Sequence, residues 1–525
     1  MEDWRKGCRL QLYPRRFSSG GERLLLRSNN LQVSYFMSFL NLKFNHLVYS
    51  RLKSKIVEAT LAEKGKEEIL HRIETCAWFA YHNHVGMFSD GVLENIAFRI
   101  GANLDNLDSC DIDTNIRLED LTGGTLHVVS NVYKSGGHSR MLAKWISRDK
   151  STKHIVVFTR EQSALPDFFA RSLNEHSVKV IYLGNRKGII ERSLSLRTIA
   201  KRVNRVILHT HPDDVVPIVA FAHSDSIPPV ALFNHAHFWY CLGSTIADSY
   251  INTHVYYRNL SAKQRFARRA ELLCTVGYGL SIFQDVPVNK SEAKSSLGIE
   301  DGQIVLLAMA TEQYFKPAFG YDFFKTSQRI LDSFSNIRIV FVGLSGDSKL
   351  IPKRLKNNPR VYYLGVMADP SLAYKAADVC LESFPIPSLG AVTQSVIVGE
   401  AFPVLMYGVG ENIARIDRTE HFSGVYRAKS EREYLSYVSE LIANPKKTRE
   451  AAKRMRKNLI EKDALFEEKL VSLYEHIDNH EHKPRLIPPG CFHYAEDNLF
   501  LSAQSKPFID RIRILLRNID ICSAG

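Results

Sequence analysis

Five short polar clusters follow apolar runs in this 525-residue chain, and each carries residue types able to do chemistry. The first is LHVVSNVYKSGGHSR, residues 126–140, in which an apolar run gives way to Gly136 and Gly137 and a helix opens at about His138. Adjacent glycines let a backbone approach a ligand closely, exposed helix N–H groups favour an anion, and Arg140 adds positive charge on the first turn. The second is His209-Thr210-His211-Pro212-Asp213-Asp214, directly after the apolar run Val206–Leu208. Two imidazoles and a carboxylate at that spacing are either metal ligands or polar groups that end a strand and line a cleft. The third, NHAHFW at residues 234–239, places His235 and His237 after Val230–Phe233, with Gly243 and Asp248 downstream. A neutral imidazole there accepts a proton or hydrogen-bonds a hydroxyl. The fourth is Lys316, held by Pro317 just beyond the apolar run Ile304–Ala308 and suited to neutralising a diphosphate. In the fifth, Val379–Leu381 leads into Glu382, then Ser388, Gly390 and Thr393 at a helix start. A strand-end carboxylate suits a pair of hydroxyls, and small residues opening a helix suit phosphate oxygens.

The elements that must hold these clusters follow a rhythm. Residues 31–118 read as mainly helical. In Glu67–Ala80 the apolar positions Ile69, Ile73, Cys76 and Ala77 recur at three- and four-residue steps. His82 and His84 fall in an expected loop over Tyr81–Gly91. From Thr125, strand-length apolar runs alternate with helical stretches: Leu126–Ser130, His154–Thr159, Val178–Leu183, Arg205–His209 and Pro229–Phe233, with a further run at Leu272–Gly277. A polar linker is expected over Pro287–Asp301. The rhythm then restarts with Ile304–Ala308, Arg338–Gly343, Arg360–Leu364, Val379–Glu382 and Phe402–Met406. This is the βαβ pattern of buried parallel sheets, so the expected class is α/β with two Rossmann-like units. The expected division is a basic flexible leader (1–30), a helical region (31–118), a first unit (119–286), a second unit (287–480) and a C-terminal tail with a helix (481–525).

Composition narrows the function classes. The 45% hydrophobic and 24% charged fractions are those of a globular protein with material for a large core. No apolar run approaches the ~20 residues that cross a bilayer. A net charge of +13 favours anionic partners, yet no basic helix or stacking-aromatic motif points to nucleic acid. The leader lacks the apolar stretch and small-residue cleavage site of a secretory signal. The eight cysteines are isolated, with no CxxC pair, and scattered thiols fit a reducing, cytoplasmic setting.

Taken in order, the GGHSR loop, KSSLGIEDGQI (294–304), VYYLGVMADPSLAYKAADVCLE (361–382) and ESFPIPSLGAVTQ…FPVLMYG resemble a glycosyltransferase of the GT-B architecture, over roughly Thr125–Ile477. That resemblance implies two Rossmann-like domains across a cleft, the N-terminal one for the acceptor and the C-terminal one for a nucleotide-diphosphate sugar, with no cofactor and no metal. It implies Lys316 at the donor diphosphate, Glu382 at the ribose or sugar, Ser388, Gly390 and Thr393 at the phosphates, and Gly343 with them. Gly136, Gly137, His138, Arg140, His211, His237 and Asp248 would lie on the acceptor side, with His235 as the base if the reaction inverts. Family 4 enzymes usually carry a second Glu eight positions after the first, where this chain has Gly390. YFKPAFGYDFF and the FPIPSLGAVT turn look closer to the inverting O-GlcNAc transferase and bacterial protein N-glucosyltransferase group, so the stereochemical outcome stays open. The acceptor is expected to be a lipid-linked or other glycan in surface-polysaccharide assembly, or a protein. The basic surface suits peripheral docking on an anionic membrane. Two rivals remain. The HTHPDD cluster resembles the HxHxDH motif of metallo-β-lactamase-type hydrolases, with Asp214 in place of the last His. A non-catalytic GT-B-like subunit is the other.

Overall fold

The computed structural model describes residues 25–105, 118–134, 137–184, 188–235, 239–253, 255–273, 287–407, 422, 425–492, 502, 505 and 510–512. Seven strands form one parallel sheet: β1 (Thr125–Val129), β2 (His154–Phe158), β3 (Lys179–Tyr182), β4 (Arg205–His209), β5 (Val230–Phe233), β6 (Ser249–Asn252) and β7 (Ala270–Leu272). Their spatial order is β3-β2-β1-β4-β5-β6-β7. Five more, β8 (Ile304–Met309), β9 (Ile337–Val342), β10 (Val361–Tyr363), β11 (Val379–Leu381) and β12 (Phe402–Val404), form a second parallel sheet in the order β10-β9-β8-β11-β12. Helices α1 (Leu25–Leu61), α2 (Lys66–His82) and α3 (Gly91–Ala102) precede the first sheet. Within it run α4 (Gly137–Arg148), α5 (Asp167–Glu175), α6 (Ile189–Ala200), α7 (Val216–Ala220) and α8 (Val255–Gln264). The second sheet carries α9 (Lys290–Ser296), α10 (Phe323–Ser333), α11 (Lys353–Lys356), α12 (Ser371–Ala376) and α13 (Leu389–Gly399), and the chain continues through α14 (Glu431–Ala443), α15 (Pro445–Ala464) and α16 (Phe466–Asp478). The α/β class and the doubled βαβ rhythm are therefore those read from the sequence.

Several local expectations change. The polar stretch taken as a linker contains α9. Asn289 caps it by accepting from the Glu292 N–H at 2.9 Å while its own N–H donates to the Glu292 carboxylate at 3.0 Å. Polarity masked that helix, because its buried side is only Ala293 and the stem of Lys294. Strand β6 escaped notice because Ser249 and Asn252, polar yet buried, close it at both ends. His82 belongs to the last turn of α2, where its Nδ1 pairs with the Trp78 carbonyl at 2.9 Å, rather than to a loop. Residues 25–30 of the expected flexible leader belong to α1, and residues 1–24 lie outside the described residues. Of the expected tail helix around Phe508–Ile519, residues 510–512 are described, and they are helical. No helix among the described residues is long and apolar enough to cross a membrane.

The N-terminal helices complete the core of the first sheet. Gly101 lets α3 press against α7: a Cβ there would stand 2.5 Å from the Val219 carbonyl oxygen. Buried Arg197 then ties both helices by donating to the Gly101 carbonyl at 2.9 Å and to the Val219 and Ala220 carbonyls at 2.8 Å each.

The end of the chain returns to this sheet. Phe466, Leu470, Leu473, Tyr474 and Ile477 of α16 share one apolar cluster with Met141, Trp145, Ile207 and Phe233. Lys144 of α4 forms an ion pair with Asp463 at the end of α15, the two side chains being 0% and 4% exposed. Beyond α16, His482 bridges the Asp248 carboxylate at 2.7 Å and the Phe221 carbonyl at 2.9 Å. A residue range ending the second unit at 480 follows chain order, whereas packing puts α16 on the first sheet.

Asp463 also accepts from Arg148 at 3.0 Å, so removing its carboxylate takes a partner from buried Lys144 and from Arg148 at once, and breaking a buried ion pair typically costs about 3–5 kcal/mol. Asp463→Ala is expected to lower the urea midpoint by an amount of that order, and adding Lys144→Met to recover most of it. Equal loss in the single and double variants would show that the pair is not the source of the stability.

Candidate functional site

A parallel sheet opens a crevice where neighbouring strands send their connections in opposite directions. In the first sheet this happens between β1 and β4, because the chain runs outward to β2 and β3 and then returns. In the second it happens between β8 and β11. Four of the five clusters named from the sequence follow these four strands, and the fifth follows β5, the neighbour of β4.

At the first crevice, Ser130 and Thr159 donate hydroxyls to the Asp214 carboxylate, each at 2.5 Å, and the Ser130 oxygen accepts the His211 N–H at 2.8 Å. Asp213 accepts from Arg160 at 3.2 Å, and Arg160 also reaches Glu74 of α2 at 3.3 Å. Both carboxylates of the HTHPDD cluster are thus spent on holding the loop. His209 points its Nε2 at His127 of β1, 3.0 Å away. No group of three or more His, Cys, Asp or Glu among the described residues is arranged to hold a metal ion. The cluster is a loop lock with imidazoles at its rim, which removes the geometric basis of the hydrolase rival.

Those imidazoles gather. His138, on the first turn of α4, stacks on His235 with ring centroids 4.1 Å apart, and His211 stacks on Tyr133 at 5.4 Å. Since a carbonyl only accepts, His138 donates from Nε2 to the His209 carbonyl at 2.9 Å, which leaves its Nδ1 as the bare nitrogen. His235 likewise donates from Nδ1 to the Phe233 carbonyl at 3.2 Å and keeps Nε2 bare. Burial pushes His138 down to about 3 and His235 and His209 well below the ordinary imidazole range, with neighbouring imidazoles adding to the effect. The group is neutral near pH 7: a set of half-buried lone pairs at a strand end, suited to accept from hydroxyls.

At the second crevice, Lys316 stands after a short helical turn, Glu312–Phe315, that follows β8. Its ammonium donates to the Ser505 carbonyl at 3.4 Å, and burial, with Arg511 nearby, lowers its pKa. Gly343 ends β9 at φ +87°, where a Cβ would lie 2.5 Å from the Ala310 carbonyl oxygen. Its role is to let the β8 and β9 ends touch, and so to set the loop that carries Lys316. Glu382, fully buried at the end of β11, accepts the Met406 N–H at 3.0 Å. Ser388 precedes α13, Gly390 lies in its first turn, and Thr393 is buried one turn on. The positive end of that helix therefore opens at the crevice.

A hydrogen bond links the strand ends of the two sheets. Arg140 donates across to the Ala368 carbonyl, beyond β10, at 3.1 Å. Gly137, His138, Arg140, His211 and His235 follow strand ends of the first sheet, and Lys316, Gly343, Glu382, Ser388, Gly390 and Thr393 follow strand ends of the second. Gly136 and His237 lie outside the described residues. Asp248 is not with them. It precedes β6, at the opposite edge of the sheet, where it accepts the Val230 N–H at 2.9 Å and the Lys483 N–H at 2.8 Å beside His482. Its carboxylate is a structural clasp, because a residue before a parallel strand lies at the end away from the crevice.

Three residues were missed. His127 and His154 sit inside apolar strands, and Gln394 of α13 is buried with neither amide atom hydrogen-bonded among the described residues. A lone polar residue within an otherwise apolar run was the available signal.

No protein-family model and no curated protein matches the sequence. Solved structures do resemble the fold. HepE of Anabaena, determined in complex with UDP, is 14% identical, with 67% of this chain and 100% of that one covered and a TM-score of 0.50. A mutant of the Thermobaculum terrenum O-GlcNAc transferase is 12% identical over 87% of this chain and 85% of that one, with a TM-score of 0.48. The UDP-GlcNAc 2-epimerase of Neisseria meningitidis, bound to UDP-GlcNAc, is 12% identical over 68% of this chain and all of that one, at 0.43. The likeness to HepE carries the conclusion, which concerns the fold: two parallel-sheet units of the GT-B glycosyltransferase-like type, with helices added at the N-terminus.

The buried neutral histidines make stability depend on pH. Their folded pKa lies below the unfolded value of about 6.5, so stability is complete above that pH and is lost as pH falls and the unfolded chain takes up protons. Each fully buried ring adds a slope of up to about 1.4 kcal/mol per pH unit. Urea unfolding between pH 7 and pH 5 is expected to show that decline, and His127→Leu to flatten it by about one histidine's share. An unchanged slope would mean that His127 titrates alike in the folded and unfolded chain.

Proposed function

We propose that this protein is a glycosyltransferase that moves a hexosyl unit from a nucleotide-diphosphate sugar to an acceptor hydroxyl or amide. The observation that carries the reading is the pair of switch points: a lysine and a helix start follow the strands at one, and neutral imidazoles follow the strands at the other. Charge develops on the leaving diphosphate as the sugar C1 becomes oxocarbenium-like. Lys316 and the start of α13 at Ser388, Gly390 and Thr393 stabilise that charge in the place of a metal. Glu382 holds the ribose or sugar through its carboxylate. On the acceptor side, half-buried His235 presents a bare Nε2 and serves as base in an inverting reaction. In a retaining one it binds the donor sugar instead. Arg140 and His138 close the site around the acceptor.

The acceptor we favour is a lipid-linked or other glycan of a surface polysaccharide or lipopolysaccharide, built at the cytoplasmic face of a membrane to which the basic surface docks peripherally. A protein acceptor is the close variant.

A thermal-shift panel of UDP-, GDP-, ADP- and dTDP-sugars, with and without EDTA, tests the reading. A ligand at a hundredfold its Kd stabilises the folded state by about 2.7 kcal/mol. One nucleotide class is expected to raise the midpoint by that order, to do so in EDTA, and to lose the effect in Lys316→Ala. No shift with any sugar nucleotide, together with a fall in the midpoint in EDTA, would overturn it.

A further inference from the structure

Beneath the acceptor-side crevice, three imidazoles are hydrogen-bonded in series. His209 Nε2 is 3.0 Å from His127 Nδ1, and His127 Nε2 is 3.0 Å from His154 Nδ1. The series ends where His154 Nε2 meets the Asp149 backbone carbonyl at 3.0 Å. It runs from the carboxyl end of β4, through the middle of β1, to the first residue of β2, so it crosses the sheet from crevice to opposite edge.

Its direction is set at that far edge. The Asp149 carbonyl only accepts, so His154 carries its proton on Nε2 and accepts on Nδ1. His127 must then donate from Nε2 and accept on Nδ1, and His209 must donate from Nε2. One nitrogen is left over. His209 Nδ1 bears a lone pair, is fully buried and has no hydrogen-bond partner among the described residues. The two nitrogens of an imidazole point away from each other, so this lone pair faces away from His127. The His138 ring stands nearby, with centroids 6.3 Å apart. Leaving a buried acceptor unpaired costs about 1–3 kcal/mol. A site of that kind awaits a donor.

The far end is built to hold charge. The Asp149 carboxylate lies 3.6 Å from His154 Nε2 and accepts from the Tyr474 hydroxyl at 2.5 Å and from the Ser151 N–H at 2.9 Å. Tyr474 in turn accepts from Trp145 Nε1 at 2.6 Å. The charged or titratable groups facing the series are His138 at His209, Arg205 at His127, and Asp149, His176 and Arg205 at His154. Among the described residues, His154 is the one of the three with a carboxylate beside it. Burial holds His127 and His209 well below the ordinary imidazole range. His154 is lowered too, but Asp149 acts in the opposite sense.

We propose that His209, His127 and His154 form a proton relay in which Nδ1 of His209 receives, through one water, the proton that the acceptor has released to His235, and His154 beside Asp149 holds it. The proposal rests on the glycosyl-transfer reading. In the step, the acceptor oxygen forms the bond to C1, the C1–O bond to the diphosphate breaks, and the diphosphate keeps that electron pair. The acceptor's proton first forms an N–H bond at His235 Nε2 and then leaves it, through one water, for an N–H bond at His209 Nδ1. The Nε2 proton of His209 passes to His127 Nδ1, and that of His127 passes to His154 Nδ1. His154 becomes the imidazolium, and the proton returns by the same path once products leave. His127 and His154 act through His209 and are positioning residues.

Two measurements decide. Nitrogen-15 NMR of histidine-labelled, ligand-free protein reads tautomers and charge without any substrate. All three rings are expected as Nε2–H tautomers at pH 7, with His154 the first of them to become doubly protonated on acidification. An Nδ1–H tautomer at His209, or first protonation there, overturns the relay. The second measurement is His127→Gln, whose amide oxygen accepts from His209 and whose N–H donates to His154, so the bonds persist but no proton passes. With the donor found by thermal shift, kcat is expected to fall at least tenfold with donor KM unchanged, and a wild-type kcat in the folded variant overturns the relay. If wild-type protein turns over no sugar nucleotide, glycosyl transfer fails while the NMR result still decides the series.

Discussion

The Lys144–Asp463 ion pair is the interaction on which the rest of the arrangement depends. Two charges at almost zero exposure are costly to separate, and Arg148 of α4 holds the same Asp463, so the end of α15 is committed to α4. From there α16 has one course, across the first sheet, where its apolar side meets Trp145, Ile207 and Phe233. A chain that leaves the second sheet and finishes on the first ties the two units together, and Arg140 meets Ala368 between their open ends. The same helix brings Tyr474 to Asp149, so the packing that joins the units also sets the far end of the histidine series.

Low polarity then sets the chemistry. In the first crevice, the carboxylates of Asp213 and Asp214 are occupied by Arg160, Ser130 and Thr159 rather than by the imidazoles. Without a counter-charge, burial keeps the rings neutral, and backbone carbonyls choose the tautomers. The second crevice has the opposite character, with a partly buried lysine and the positive end of a helix. One side therefore offers lone pairs and the other positive potential. A polarised substrate pair, a hydroxyl and a diphosphate, fits that asymmetry.

Much of this was legible in the residues. Continuous apolar runs of strand length, separated by helical spacing, mark buried parallel strands because both faces of such a strand are covered. Polar clusters immediately after those runs mark strand ends, which is why Lys316, Glu382 and His235 fall at the crevices. Where polarity itself is structural, the apolar pattern does not mark the element. The helix at Lys290–Ser296 looked like a linker because its stability comes from an Asn289–Glu292 cap and tertiary contacts rather than an apolar stripe. Asp248 looked like a cleft residue because it follows a histidine cluster in sequence. Its short strand begins after it, which turns the carboxylate to the far edge.

What the sequence by itself determined is the alternation of strands and helices and the residue types that end each strand, because both follow from local periodicity and from the cost of burying polar groups. Only the tertiary structure decided the strand order, hence which strand ends adjoin, and the return of α16. It also brought together His127, His154 and His209, from three strands far apart in the chain. Their hydrogen bonds depend on β1 lying between β2 and β4, and strand order comes from how connections pack across the sheet, which no local pattern of residues records.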